Sequence, residues 1–546
     1  MNEKPNATKR VFFSGVLLLT LSTVLVKLVG LLYKIPMLSY LGSEGMGYFH
    51  SAYEIYAVFC IIATAGLPVA LSVLISAALA QNNKREVERI WRVSLSLFVI
   101  IGLLGSILMY ILAKPICLWL KSADAVGCMI SIAPTLFLVC VSSAIRGYFQ
   151  GHQKMLPTAL SQLLEAVGKL AFGLLFAHLA MLRGASVPEL AAAAGWGVTA
   201  GTVLATVYLA FERLRFSNKN KSLREETKRT KDRSVEKKLL QIAFPITLGS
   251  FLISLTKVVD MSMILRRLQS IGYTSSEANE AYGSYTTLAI SVFALLPTLL
   301  NSIALPLVPI LSSAIAAQDK GTEEKMVELS YRINALIAIP ASMGITLFAR
   351  PILSLLFVNE AGAIENAAPL LSLLGISVFL SCMITATNSI LHAYREVKMP
   401  IYATLAGLAV KVLSAYFLIG APSIGMLGAP ISTFLCNATI VSMNMYFVSR
   451  YCGRIDIKSL FVWPTLLSLF SVGLSYGEYL FLVSQFGENA FITLIPMATA
   501  VLLYVVLGCL FGAIKREDIQ SLPAGKQICT ILEGLHLMSK NEFEKT

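Results

Sequence analysis

Ionisable side chains interrupt stretches of the chain that are otherwise apolar: Lys27, Lys34, Glu54, Glu165, Lys169, Lys257, Asp260 and Lys411. A charge at the centre of a membrane-spanning helix costs at least about 2.5 to 3.5 kcal/mol on insertion scales, so such groups face a water-filled cavity or a partner. Their spacing sorts them. Lys27 and Lys34 are seven residues apart and share one helical face, with Gly30 between them. Lys257 and Asp260 are three apart and can pair, and Glu165 and Lys169 stand at the i, i+4 spacing in the favourable order. An ammonium group is a compact point charge, so lysines gathered at one depth suit an anion such as a phosphate or pyrophosphate. Two positions keep a second meaning: Lys34 can snorkel to the headgroups, and Glu165 with Lys169 can be a self-neutralising structural pair. The sequence has no Gly-x-x-x-x-Gly-Lys-Ser/Thr loop and no His-Glu-x-x-His, and its nine Cys are scattered without a Cys-x-x-Cys pair. The expectation is therefore binding and release without cofactor or metal.

These groups need elements to carry them. Over 546 residues, 56% are hydrophobic and only 14% charged, a composition of a chain solvated by a bilayer and not of several soluble domains. Fourteen apolar segments are read: 11–40, 47–79, 91–113, 124–148, 157–182, 187–211, 239–268, 281–315, 327–350, 364–392, 399–420, 424–449, 460–482 and 489–513. Each has about 20 residues or more, enough to cross a hydrocarbon core of roughly 30 Å at 1.5 Å per residue. None alternates as barrel strands do, so the fold class is all-α, a polytopic membrane protein. The first segment runs too long for a cleaved signal and is kept as a helix. Most of the 44 Lys and Arg fall on one side when the N-terminus is placed inside, which predicts two cytoplasmic termini. The net charge of +13 is thus a topology signal suited to membrane lipids, and no basic face of a soluble domain is present to take nucleic acid.

Weak internal similarity divides the chain. Val26-Lys27-Leu28-Val29 matches Thr256-Lys257-Val258-Val259, Leu67-Pro68 matches Leu296-Pro297, and Lys169 falls beside Lys411 after a shared loop pattern near Lys154 and Lys398. Six helices per repeat make the repeats parallel, as in transporters that rock two bundles about a central site. The expected division is 1–212 (first lobe), 213–238 (charged cytoplasmic linker), 239–450 (second lobe), 451–514 (two further helices) and 515–546 (cytoplasmic tail, a surface-lying helix). Repeat symmetry would set Lys27 opposite Lys257 and Lys169 opposite Lys411, ringing a cationic cavity.

The run Arg146-Gly147-Tyr148-Phe149-Gln150-Gly151-His152-Gln153-Lys154-Met155, on through Pro157 to Glu165, resembles the polysaccharide-transporter branch of the multidrug/oligosaccharidyl-lipid/polysaccharide exporter superfamily. Gly30, Tyr33, Ile35-Pro36, Gly42, Gly45 and the Ile62 to Ala70 stretch carry the same likeness, which is to the group of stage V sporulation protein B and the Gram-positive lipid II flippases. The resemblance implies two six-helix lobes, a cationic cavity for a pyrophosphate-sugar headgroup, and a groove for the polyprenyl tail between the last two helices. It implies a monomeric flippase in the bacterial plasma membrane that moves an undecaprenyl-linked cell-wall precursor outward by alternating access, in growth or in spore cortex synthesis. Lys27 best matches a basic family position on the first helix; it stands where several relatives have Arg, so the charge persists without the bidentate fork. A multidrug or cation antiporter would need an acidic cavity, and a membrane glycosyltransferase or polymerase would need sizeable outer loops.

Overall fold

The computed structural model describes residues 4–219, 233–304, 307–358, 360–396, 398–452 and 457–514. Among them every regular element is helical, and the chain divides into two compact units, Met1–Thr287 and Leu288–Thr546. Eleven helices are long and apolar enough to cross a membrane, or twelve when one bent pair counts as a single span. The expected fourteen fits without being reached by that criterion, because two arms of one helix are joined in the first span, Ser22–Ile61, and the helix Arg233–Ser270 is not among those that pass.

The first unit begins with α1, Lys4–Thr64, which breaks at Gly42 (φ 65°, ψ 175°) into arms 4–41 and 43–64. Only glycine adopts that conformation without steric cost, so Gly42 is what lets the second arm leave at an angle. A bend at Ala65 and Gly66 leads to α2, Leu67–Ala80; then follow α3, Lys84–Trp119, α4, Val126–Gly151, α5, Leu156–Leu182, and α6, Val187–Lys219. The unit closes with α7, Arg233–Ser270, and α8, Ser275–Ser284, which runs into a π-helical turn, Tyr285–Ala289. The expected linker is thus helical at both ends, 213–219 and 233–238; its middle lies outside the described residues, as does the 515–546 tail.

Lipid removes the hydrophobic drive between helices, leaving close packing of small residues and interhelical hydrogen bonds. Both are present. The backbones of Gly173 and Gly197, and of Gly168 and Gly201, meet where α5 crosses α6. Across α4 and α6, Thr135 bonds Thr199 at 2.7 Å and, two turns on, Ser142 bonds Thr206 at 2.8 Å. Bulky apolar side chains point outward instead, as Ile100, Leu104, Leu108 and Ile111 do on α3. At the end of the unit where α6 leaves it, the Arg213 guanidinium lies over the rings of Tyr148 and Trp91 and reaches Glu88, fixing α6 against α3 and α4.

The second unit continues with α9, Ile290–Phe293, α10, Leu295–Ala304, α11, Leu307–Ala316, and α12, Lys320–Leu347, which bends by 81° into α13, Ala349–Leu356. Then come α14, Ala361–Ala393, α15, Lys398–Ile419, α16, Gly428–Cys452, α17, Ile457–Phe486, and α18, Ala490–Leu510. Val327, Tyr331, Met383, Ile390, Val441 and Val448 form a buried core among α12, α14 and α16. Asn444 ties α16 to Thr387 and Asn388 of α14.

Candidate functional site

The Gly42 break places the two arms of α1 side by side with α7 and α8, and this arrangement gathers the charges of the first unit. The first arm brings Lys27 and Lys34, the second His50 and Glu54, and α7 Lys257 and Asp260. Lys34 lies within electrostatic range of Glu54, Lys257 and Lys27, and Glu54 within range of both Lys34 and Lys257 as well as Asp260. Lys27 and Lys257 are exposed, Lys34 and Asp260 half-buried. Three lysines stand against two carboxylates, so the cluster carries one surplus positive charge.

Lys34 donates to the carbonyl oxygen of Thr286 at 3.2 Å. Thr286 belongs to the π-helical turn, where the i→i−4 ladder is interrupted and a carbonyl is released for an outside donor. Lys34 is therefore anchored inward and does not snorkel. Beside the lysines, His50 Nε2 makes no hydrogen bond within the protein, and elsewhere on the two arms Ser51 Oγ and Tyr33 Oη are likewise buried without one. His50, 7% exposed, sits near both Lys34 and Lys257. Sequence reasoning passed over His50 and the Thr286 carbonyl, neither of which announces itself as a buried charge.

Glu165 and Lys169 form an ion pair at 2.7 Å, as their spacing predicts, and a third member joins from α4. Arg146, which opens the run that carries the family resemblance, donates to Glu165 Oε2 at 2.8 Å and through Nε to Ser161 Oγ at 2.9 Å. Lys411 lies half-buried on α15 of the second unit. Among the described residues no group of His, Cys, Asp and Glu could hold a metal ion.

In the second unit a cavity of about 540 Å³ opens among α12, α17 and α18, lined by Pro340, Gly344, Phe348, Val472, Met497 and Tyr504. Its walls are almost wholly apolar.

Helices and buried charges of this kind define a multi-pass α-helical membrane protein with ionisable groups set among its spans. Comparison with known proteins makes the class specific. The chain belongs to the polysaccharide biosynthesis protein family, whose model matches residues 12–315, and the MatE model matches residues 245–417. Stage V sporulation protein B of Bacillus subtilis is 22% identical over 94% of this chain and 98% of its own length. The lipid II flippase MurJ of the same organism is 22% identical over 93% and 97%, and the uncharacterized membrane protein YabM 26% over 97% and 98%. Among solved structures, an inward closed lipid II flippase MurJ superposes with a TM-score of 0.69 at 15% identity, covering 91% of this chain and 98% of that one. An inward-facing multidrug resistance MATE transporter gives 0.63 at 16% identity, over 81% and 94%. The chain is thus a transporter or flippase of the multidrug/oligosaccharidyl-lipid/polysaccharide exporter superfamily and not an enzyme.

Proposed function

We propose that this protein moves an undecaprenyl-pyrophosphate-linked cell-wall precursor, lipid II or a related lipid-linked oligosaccharide, from the inner to the outer leaflet of a bacterial plasma membrane. The observation that carries the reading is the surplus of lysine over carboxylate on α1 and α7, at positions where an uncompensated charge is costly. Lys27 and Lys257, the exposed pair, hold the pyrophosphate; Lys34, tied to the Thr286 carbonyl, sets the potential behind them. When substrate leaves, Glu54 and Asp260 take up the lysine charges, so the empty site is not left bare. The apolar cavity among α12, α17 and α18 suits the polyprenyl tail, which stays in a lipid-like setting while the headgroup crosses. Both termini are placed on the cytoplasmic side by the distribution of basic residues, and the protein acts as a monomer.

A cation antiporter would need a carboxylate at liberty to bind its ion. Glu165 is held by two cations, and Glu54 lies within range of Lys257 and Lys34. The test is rescue of a bacterial strain depleted of its own lipid II flippase, read as lipid II reachable from outside the cell. Wild type restores it, and Lys27→Ala with Lys257→Ala, present at the same level in the membrane, does not. Full rescue by the double variant would defeat the reading.

A further inference from the structure

The second arm of α1 shows different residues on its neighbouring faces. His50 and Glu54 turn toward the lysine cluster, whereas Tyr53, Tyr56, Cys60 and Thr64 line a separate chamber of about 380 Å³ shared with α4 and α5. That chamber is polar. Arg146, Gln150, Gln162, Glu165 and Lys169 contribute to its wall, and the proposed function uses none of them.

Its charges do not balance. One carboxylate, Glu165, accepts from both Arg146 and Lys169, and the three side chains are only 13% to 21% exposed. Two cations therefore share one anion, and a positive charge is left over where little solvent reaches it. Donors are also left over. Arg146 spends Nε on Ser161 and one N–H on Glu165, keeping the other edge of its guanidinium; Lys169 spends one of three N–H groups. The volume is many times the roughly 30 Å³ that a water takes up in the liquid, so a small ion with its hydration fits.

We propose that this chamber is an oxyanion site, distinct from the lysine cluster, that takes one singly charged carboxylate or phosphate group against Arg146 and Lys169. A planar guanidinium edge beside amide donors matches the paired oxygens of such a group better than a spherical ion. The group comes either from a free anion or from an acidic group on a lipid-linked cargo; the second source alone rests on the proposed function.

The test uses the purified full chain in nanodiscs of phosphatidylcholine, titrated at constant ionic strength with inorganic phosphate, acetate or farnesyl pyrophosphate while thermal unfolding is followed. At least one probe raises the unfolding midpoint. Glu165→Gln, which removes the competing carboxylate, tightens that response by about tenfold, and Arg146→Gln weakens it by about tenfold, the scale of one unit charge within a few ångströms. Opposite signs are the signature, since a purely structural triad would lose stability in both variants with no difference in anion response. Read in the Lys27→Ala, Lys257→Ala background, which removes the pyrophosphate site of the proposed function, a response to phosphate or acetate assigns a free anion, and one to farnesyl pyrophosphate alone assigns a lipid-borne group. No response to any probe, or the same response in both variants, overturns the site. In that background the opposite effects of Glu165→Gln and Arg146→Gln persist, so this site and the transport reading fail separately.

Discussion

Replacing Glu165 by Gln removes a charge that two cations share, and the structure sets the size of the effect. Arg146 and Lys169 approach the Glu165 carboxylate at 2.8 and 2.7 Å, with side-chain exposures of 13%, 21% and 14% for Arg146, Lys169 and Glu165. With charge centres about 4 Å apart and an effective dielectric near 20, each pair gains about 4 kcal/mol before desolvation is subtracted. Losing one member of a buried pair destabilises by about 3 to 5 kcal/mol, because the remaining charge is stranded. Here two are stranded and repel each other, so about 3 kcal/mol is expected as a minimum. Glu86→Gln is the control: its pair with Arg89 is longer, 3.3 Å, and exposed at 33% and 41%, which brings its contribution below about 1 kcal/mol. The assay is the first unfolding transition of the purified chain in detergent without added oxyanion, since a chain of two units need not melt in one step. Glu165→Gln lowers that transition by several degrees and Glu86→Gln leaves it within about one degree. Equal midpoints for the two variants would show that the triad carries no net stabilisation.

Other outcomes follow from the same geometry. Gly197→Leu drives a side chain into the backbone of Gly173 at the α5–α6 crossing, where nothing flexible can yield; folded yield on gel filtration should fall, with a loss of at least about 1 to 3 kcal/mol. Gly344→Phe points into open space in the α12–α17–α18 cavity, so transport should drop while the melting temperature stays unchanged; retained transport would remove the tail from that cavity. Asp319 caps α12 by accepting from the Thr322 hydroxyl and amide, bonds that hold its carboxyl below the usual range. Its folded value is the lower one, so the cap contributes in full above the ordinary carboxyl range and is lost as pH falls below that range through the lowered folded value. Hydrogen exchange in the first turn of α12 should accelerate on acidification, and in Asp319→Ala should already be fast at neutral pH.

Much of this was legible from residue order because lipid leaves few options. A long apolar run can satisfy its backbone only as a helix, so the helices and the class of fold follow from hydropathy alone. Glu165 and Lys169 were readable as a pair for a local reason, the four-residue spacing on one helix. Arg146 was not, since nothing in its own segment says that α4 lies against α5 and brings its guanidinium to Glu165, 19 positions further along the chain. Lys34 was ambiguous for the same reason: the acceptor that draws it inward is a backbone carbonyl in a π-helical turn far along the sequence, and such a turn has no side-chain signature. Gly42, quoted from the sequence for the family likeness, is a break within a helical run, where a single φ sets the second arm apart from the first.

The most direct test is reconstitution of the purified chain in liposomes that carry a fluorescent undecaprenyl-pyrophosphate disaccharide, measuring how much of the label becomes reachable by a membrane-impermeant quencher. The account predicts movement by the wild type, none by the Lys27→Ala, Lys257→Ala form, and partial recovery when both positions carry Arg. Movement at the wild-type rate by the alanine form would contradict the claim that lysine charge on α1 and α7 carries the headgroup.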